Sequence, residues 1–87
     1  MSKSDKAKTN KEHVEWLADN YEWSCFEEQP QAFLIRYEKV VCNRPSIINV
    51  WLSKMTIAIV YNGKQHFIKK VSLTKLEEIF INPLKFI

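Results

Sequence analysis

Apolar side chains recur along this chain with two different periods. Between Glu12 and Glu22 they fall at Val14, Leu17, Ala18 and Tyr21, the i, i+3, i+4, i+7 spacing of one helix face, while Glu12, Glu15, Asp19 and Glu22 lie on the outer side. Trp16 sits off that stripe. Thr9 stands three residues before Glu12, the separation at which a hydroxyl and a carboxylate cap each other's backbone N–H, so the helix is expected to start there. The polar residues 1–8 before it have little to bury and read as a flexible tail, leaving 9–87 as a single domain.

Beyond Trp23 the period changes to two. Trp23 to Phe26 reads as a short first strand, and Glu27 to Gln31 as a turn around Pro30. In Ala32 to Val41, Phe33, Ile35, Tyr37 and Val41 point one way and Leu34, Arg36, Glu38 and Val40 the other. Asn43-Arg44-Pro45-Ser46 breaks the pattern. Ile47 to Leu52 reads as the next strand, Ser53-Lys54-Met55 as a tight connection and Thr56 to Tyr61 as a further strand; the alternative, one continuous strand over both, would be long for so small a domain. Asn62-Gly63 is the strongest local signal, because a type I′ turn needs positive φ at both central residues. The strand Lys64 to Val71 returns from it. Ser72 caps a last helix whose buried face is Leu73, Leu76, Ile79 and Phe80, with Val71 and Leu76 at staple positions and Asn82-Pro83 as the stop. These patterns predict an α+β fold: an antiparallel sheet of three or four strands between an N-terminal and a C-terminal helix. Leu17, Phe33, Ile35, Ile57, Ile59, Leu76 and Phe80 are expected in its core.

Composition narrows the function classes. The chain has 87 residues, 46% hydrophobic and 13% aromatic, with a single glycine, which excludes disordered and collagen-like chains. That glycine serves the hairpin, so none remains for a phosphate loop. A domain of this size buries only about 60–65% of its unfolded surface, which makes a partner or a homodimer joined through a sheet edge a natural expectation. No apolar run reaches the ~18 residues of a membrane span, and MSKSDKAKTNKE lacks the apolar segment of a signal peptide. A cytoplasmic or nuclear protein, not secreted and without a membrane, is expected. Cys25 and Cys42 have no CxxC spacing and are expected to be reduced and partly buried, and neither His13 nor His66 has a ligand partner at metal spacing. Glu27 and Glu28 are adjacent, so in a strand they point to opposite faces and cannot act as a carboxylate pair. No enzyme activity, metal or cofactor is expected.

Charge is where function becomes legible. The net charge of +3 conceals a division: Glu12 to Ile35 holds six acidic residues and no lysine or arginine, whereas Arg36 to Lys75 holds eight basic residues against Glu38 alone. A basic sheet and hairpin face is the electrostatic footprint of a polyanion partner. Its candidate contacts are Arg36, Lys39, Arg44, Lys54, Lys64, His66, Lys69 and Lys70, with Tyr37, Trp51, Tyr61 and Phe67 as aromatics able to stack on bases. The plainer reading is that these lysines solvate an outer sheet face and discourage edge pairing. A different function, an adaptor or inhibitor of a host or partner protein, would use a sheet edge or the acidic first helix with Glu15, Asp19 and Glu22.

Three resemblances accompany this reading. The order helix, antiparallel strands, helix resembles the layout of the double-stranded RNA-binding domain, whose lysine pair at the last helix has an offset counterpart in Lys69 and Lys70. The segment INVWLSKMTIAIVYNGKQHFIKKVSLTKLEEIF looks like the final strands and helix of single-strand-binding transcriptional coactivators of the positive-cofactor type, with Lys69, Lys70, Val71, Ser72 and Leu73 carrying the likeness. It also looks like small uncharacterised phage and mobile-element proteins. The first two resemblances imply nucleic-acid binding, and the second favours single strands over duplex.

Overall fold

Two helices lie against one face of a five-stranded antiparallel meander in the computed structural model, which describes residues 3–87. In chain order the elements are α1 (Lys3–Asn20), β1 (Ser24–Gln29), β2 (Leu34–Val41), β3 (Arg44–Trp51), β4 (Thr56–Tyr61), β5 (Lys64–Ile68) and α2 (Leu73–Ile81). Sheet order follows chain order. The strand count exceeds the expected three or four for two local reasons. β3 and β4 are separate strands, as their two runs predict, because the turn Leu52–Met55 folds Thr56 back beside Trp51, so all the runs of the pattern count as strands. β1 continues through Glu27 and Glu28, since the break is confined to a single 3-10 turn, Pro30–Ala32, ended by Phe33 in the left-handed region at φ 54°.

Two hairpins of minimal length set the register. Asn62-Gly63 has φ of 53° and 76°, as its sequence predicts, and Cys42-Asn43 has φ of 51° and 64°, the same turn built without glycine. The break expected over Asn43–Ser46 is therefore shorter, and Arg44 and Pro45 belong to β3. Proline is tolerated because Pro45 lies past the last β3–β4 pair, Ser46 with Tyr61, where no partner would accept its N–H. This register aligns Ile35, Val50, Ile57 and Ile68 in one row and Tyr37, Ile48, Ile59 and His66 in the next, on the side facing the helices.

The N-terminal helix is longer than its capping signals suggest. It runs from Lys3, so Thr9 is interior, and Ala7, within the segment expected to be a tail, is buried in the core cluster. The part of that tail at Met1 and Ser2 lies outside the described residues. At its other end the Trp23 N–H donates to Ala18 O at 2.9 Å and the Glu22 N–H to Asp19 O at 3.2 Å, the paired bonds of a Schellman stop. Glu22 occupies its left-handed position at φ 64°, where glycine is favoured. The Lys39 ammonium adds a further partner, donating to Tyr21 O at 2.7 Å.

Phe80 joins the layers. Its ring lies 5.7 Å from those of both Trp23 and Tyr37, edge-on to the latter, and its carbonyl accepts from Trp23 Nε1 at 2.9 Å. Leu76, Ile79 and Phe80 are fully buried along α2, whose Ser72 hydroxyl accepts from the Lys75 N–H as the sequence predicts. Ile35, Ile57 and Ile59 join this core as expected, and Phe33 and Met55 pack at its margin. No helix among the described residues is long and apolar enough to cross a membrane.

Two substitutions test these statements. Leu76→Ala should cost about 2–5 kcal/mol in urea unfolding, the loss typical of a buried leucine cavity, and a neutral result would mean that α2 is not docked. Glu22→Gly should raise stability by about 1 kcal/mol by relieving the left-handed strain, which thermal unfolding reads as a higher Tm.

Candidate nucleic-acid interface

Because both helices cover the same side, the other sheet face has no layer over it. Across it the register places Arg36, Asn49, Ala58 and Phe67 in one row, with Leu34, Trp51 and Thr56 in the next. Leu34, Asn49 and Ala58 are nevertheless buried. With no second layer present, the larger side chains beside them must do the covering. Trp51 and Phe67 form a tilted pair with centroids 6.1 Å apart, and Phe67 remains 58% exposed.

A second aromatic site stands at the opposite side of the face. The register shift between Cys25 and Glu27 is a β-bulge, and it leaves the Phe26 ring 5.0 Å from the Arg36 guanidinium. Arg36 Nε donates to Asn49 Oδ1 at 2.8 Å and Nη1 to Glu27 Oε1 at 3.0 Å. A hydrogen bond from the Gln29 amide, followed by the charge of Arg36, holds the Glu27 carboxyl below its ordinary range. Both members of the ion pair are about one-third exposed, so it orients side chains more than it stabilises the fold.

Toward the β3–β4 turn the face deepens into an open depression of about 410 Å³, lined by Gln31, Trp51, Ser53, Lys54, Thr56 and Phe67 among others. The Val71 N–H donates to Met55 O at 2.9 Å, which brings the segment after β5 alongside this turn. Lys69 and Lys70 thus run beside Lys54, all exposed. The charged residues of these converging segments, 31–33, 53–56 and 67–70, are all cationic.

The sequence candidates divide accordingly. Arg36, Lys54, Lys69 and Lys70 lie on the open face or at its deep end. Lys39 is on the helix side, held by Tyr21 O and 5.9 Å from the centroid of Trp23, where it terminates α1. Arg44 donates to Asn62 Oδ1 at 2.7 Å and links the two hairpin turns at the other end of the sheet. Lys64 and His66 pair with Tyr61 and Ile59 and therefore share their helix-side parity. Of the aromatics, Trp51 and Phe67 occupy the open face. Tyr37 does not: it is buried against Phe80, its hydroxyl without a hydrogen-bond partner, and burial pushes that hydroxyl's pKa well up. Tyr61 is also on the helix side, its hydroxyl donating to Val41 O. Phe26 and Asn49 were not anticipated, since their closeness to Arg36 depends on cross-strand register, which has no local compositional signal.

Charge also separates the sheet edges. β1 carries Glu27 and Glu28, ion-paired to Arg36 and Lys11 respectively, while Lys64, Lys69 and Lys70 lie on or just after β5. Cys25 and Cys42 are free, and they are exposed rather than partly buried. No cluster of three or more His, Cys, Asp or Glu that could hold a metal occurs among the described residues. Compared with known proteins, the chain matches no family model, no curated protein and no solved structure.

Proposed function

We propose that this protein is a non-enzymatic nucleic-acid-binding module that holds single strands on its uncovered sheet face. The observation that carries the reading is the Trp51–Phe67 pair, half open to solvent, beside Lys54, Lys69 and Lys70. Aromatic side chains stack on bases for about 1–3 kcal/mol each, and nearby lysines neutralise the phosphates that follow. Single strands are favoured because their bases can unstack onto such a surface, whereas a duplex hides its base faces.

Tryptophan fluorescence titrations with oligonucleotides at two salt concentrations test this directly. The wild type should bind single strands more tightly than duplex. Lys69→Glu with Lys70→Glu should weaken binding to all sequences alike and lower the salt slope by about 1.4, the change expected for two lost contacts to a single strand. Trp51→Ala, followed by competition with a labelled strand, should cost roughly 5- to 150-fold in affinity. Lys39→Met should lower the melting temperature but leave affinity unchanged, because its ammonium terminates a helix.

One observation favours a second reading, a protein partner. Trp16 is 65% exposed on α1 between acidic side chains and borders a groove that also includes His13, Leu73 and Thr74. If no oligonucleotide binds at low salt while a pull-down recovers a protein dependent on Glu15 and Asp19, that reading replaces the first.

A further inference from the structure

We infer that Arg36 and Asn49 read the base next to the one stacked at Trp51, and that they select guanine or cytosine over adenine and thymine or uracil. This rests on the single-strand reading above.

The inference follows from which polar atoms on the open face are already engaged. Arg36 Nε donates to Asn49 Oδ1 at 2.8 Å. A guanidinium cannot accept a hydrogen bond, so this contact fixes which end of the Asn49 amide is oxygen. Asn49 is only 6% exposed and its oxygen is engaged, but Nδ2 is not among the polar atoms sealed from solvent, so its hydrogens are what the side chain has left to offer. Arg36 Nη1 gives one N–H to Glu27 at 3.0 Å, which leaves its second N–H and both on Nη2. Both remaining groups are donors. Glu27 also neutralises the guanidinium and would repel a phosphate brought against it, so the pair suits a neutral edge rich in acceptors.

Register brings such an edge to them. Asn49 lies between Arg36 and Ala58 in the row that ends at Phe67, so a strand stacked at Trp51 and Phe67 and running across the sheet presents its next base to Asn49 and Arg36. The Phe26 ring against the guanidinium holds that group in place from the far side. Two adjacent acceptors occur on guanine, O6 with N7, and on cytosine, O2 with N3. Adenine sets an N6 donor beside each of N1 and N7, and thymine and uracil set an N3–H between their two carbonyls.

Fluorescence titration of the full chain with five-nucleotide DNA strands TTXTT, X being each base in turn, tests the assignment. The G and C strands should bind roughly 5- to 150-fold more tightly than the A and T strands. Asn49→Asp keeps an acceptor for Arg36 but replaces the Nδ2 donors, and Asn49→Ala removes them without adding charge. Circular dichroism establishes that each variant is folded, and both should bring the G and C strands to within twofold of the A and T strands. Four strands bound equally by the wild type would overturn the inference and leave the single-strand function standing. So would a preference that survives in a folded Asn49 variant. Failure of every strand to bind at low salt would remove the function and this inference together.

Discussion

The structure depends on Phe80. Its ring contacts Trp23 and Tyr37, and its carbonyl takes the Trp23 indole N–H, so one residue of α2 ties the end of α1 to the sheet. An indole nitrogen buried without a partner would be costly, and the Phe80 carbonyl near the end of α2 is a ready acceptor. Once this contact forms, Leu76 and Ile79 are committed to the same side, and α1 must share that side because Trp23 begins three residues after its last turn. The two helices therefore cover one face between them.

That one-sided coverage decides what the other face can be. A solvated antiparallel face ordinarily alternates to polar side chains, yet here the outward positions include Leu34, Val40, Ile47, Trp51, Val60 and Phe67. Small or polar residues at the centre, Ala58 and Asn49, let the larger neighbours lean over them. The result is a surface with aromatic faces and few charges at its middle, and with cations collected at one end by the Val71–Met55 bond.

The charge division along the chain has two different physical meanings in the folded protein. Lys39 and Arg44 are engaged in holding structure, one at the end of α1 and one between hairpin turns, and neither reaches the open face. Lys54, Lys69 and Lys70 are exposed and adjacent. Linear sequence cannot separate these positions, because a lysine that donates to a helix carbonyl and one that stays exposed to solvent have the same composition and the same local pattern. Parity in the sheet separates them. Tyr37 and Trp51 were equal candidates as strand aromatics, and register places the first under α2 and the second in the open.

By itself the sequence determined the elements with strong local chemistry. The Asn62-Gly63 hairpin, the Ser72 cap, the apolar face of α2 and the alternation of β2 are each set by side chains within a few residues of one another, and each stands in the structure as predicted. Tertiary structure decided the features whose partners are distant in the chain. Cys42 and Asn43 adopt a left-handed turn because paired strands demand it, Glu22 does the work of a glycine because Trp23 must reach Phe80, and Ala7 extends α1 because the sheet offers it cover. The open face has the same origin. Which side of a strand is buried depends on where the helices land, and that choice is made by long-range packing rather than by any local run of residues.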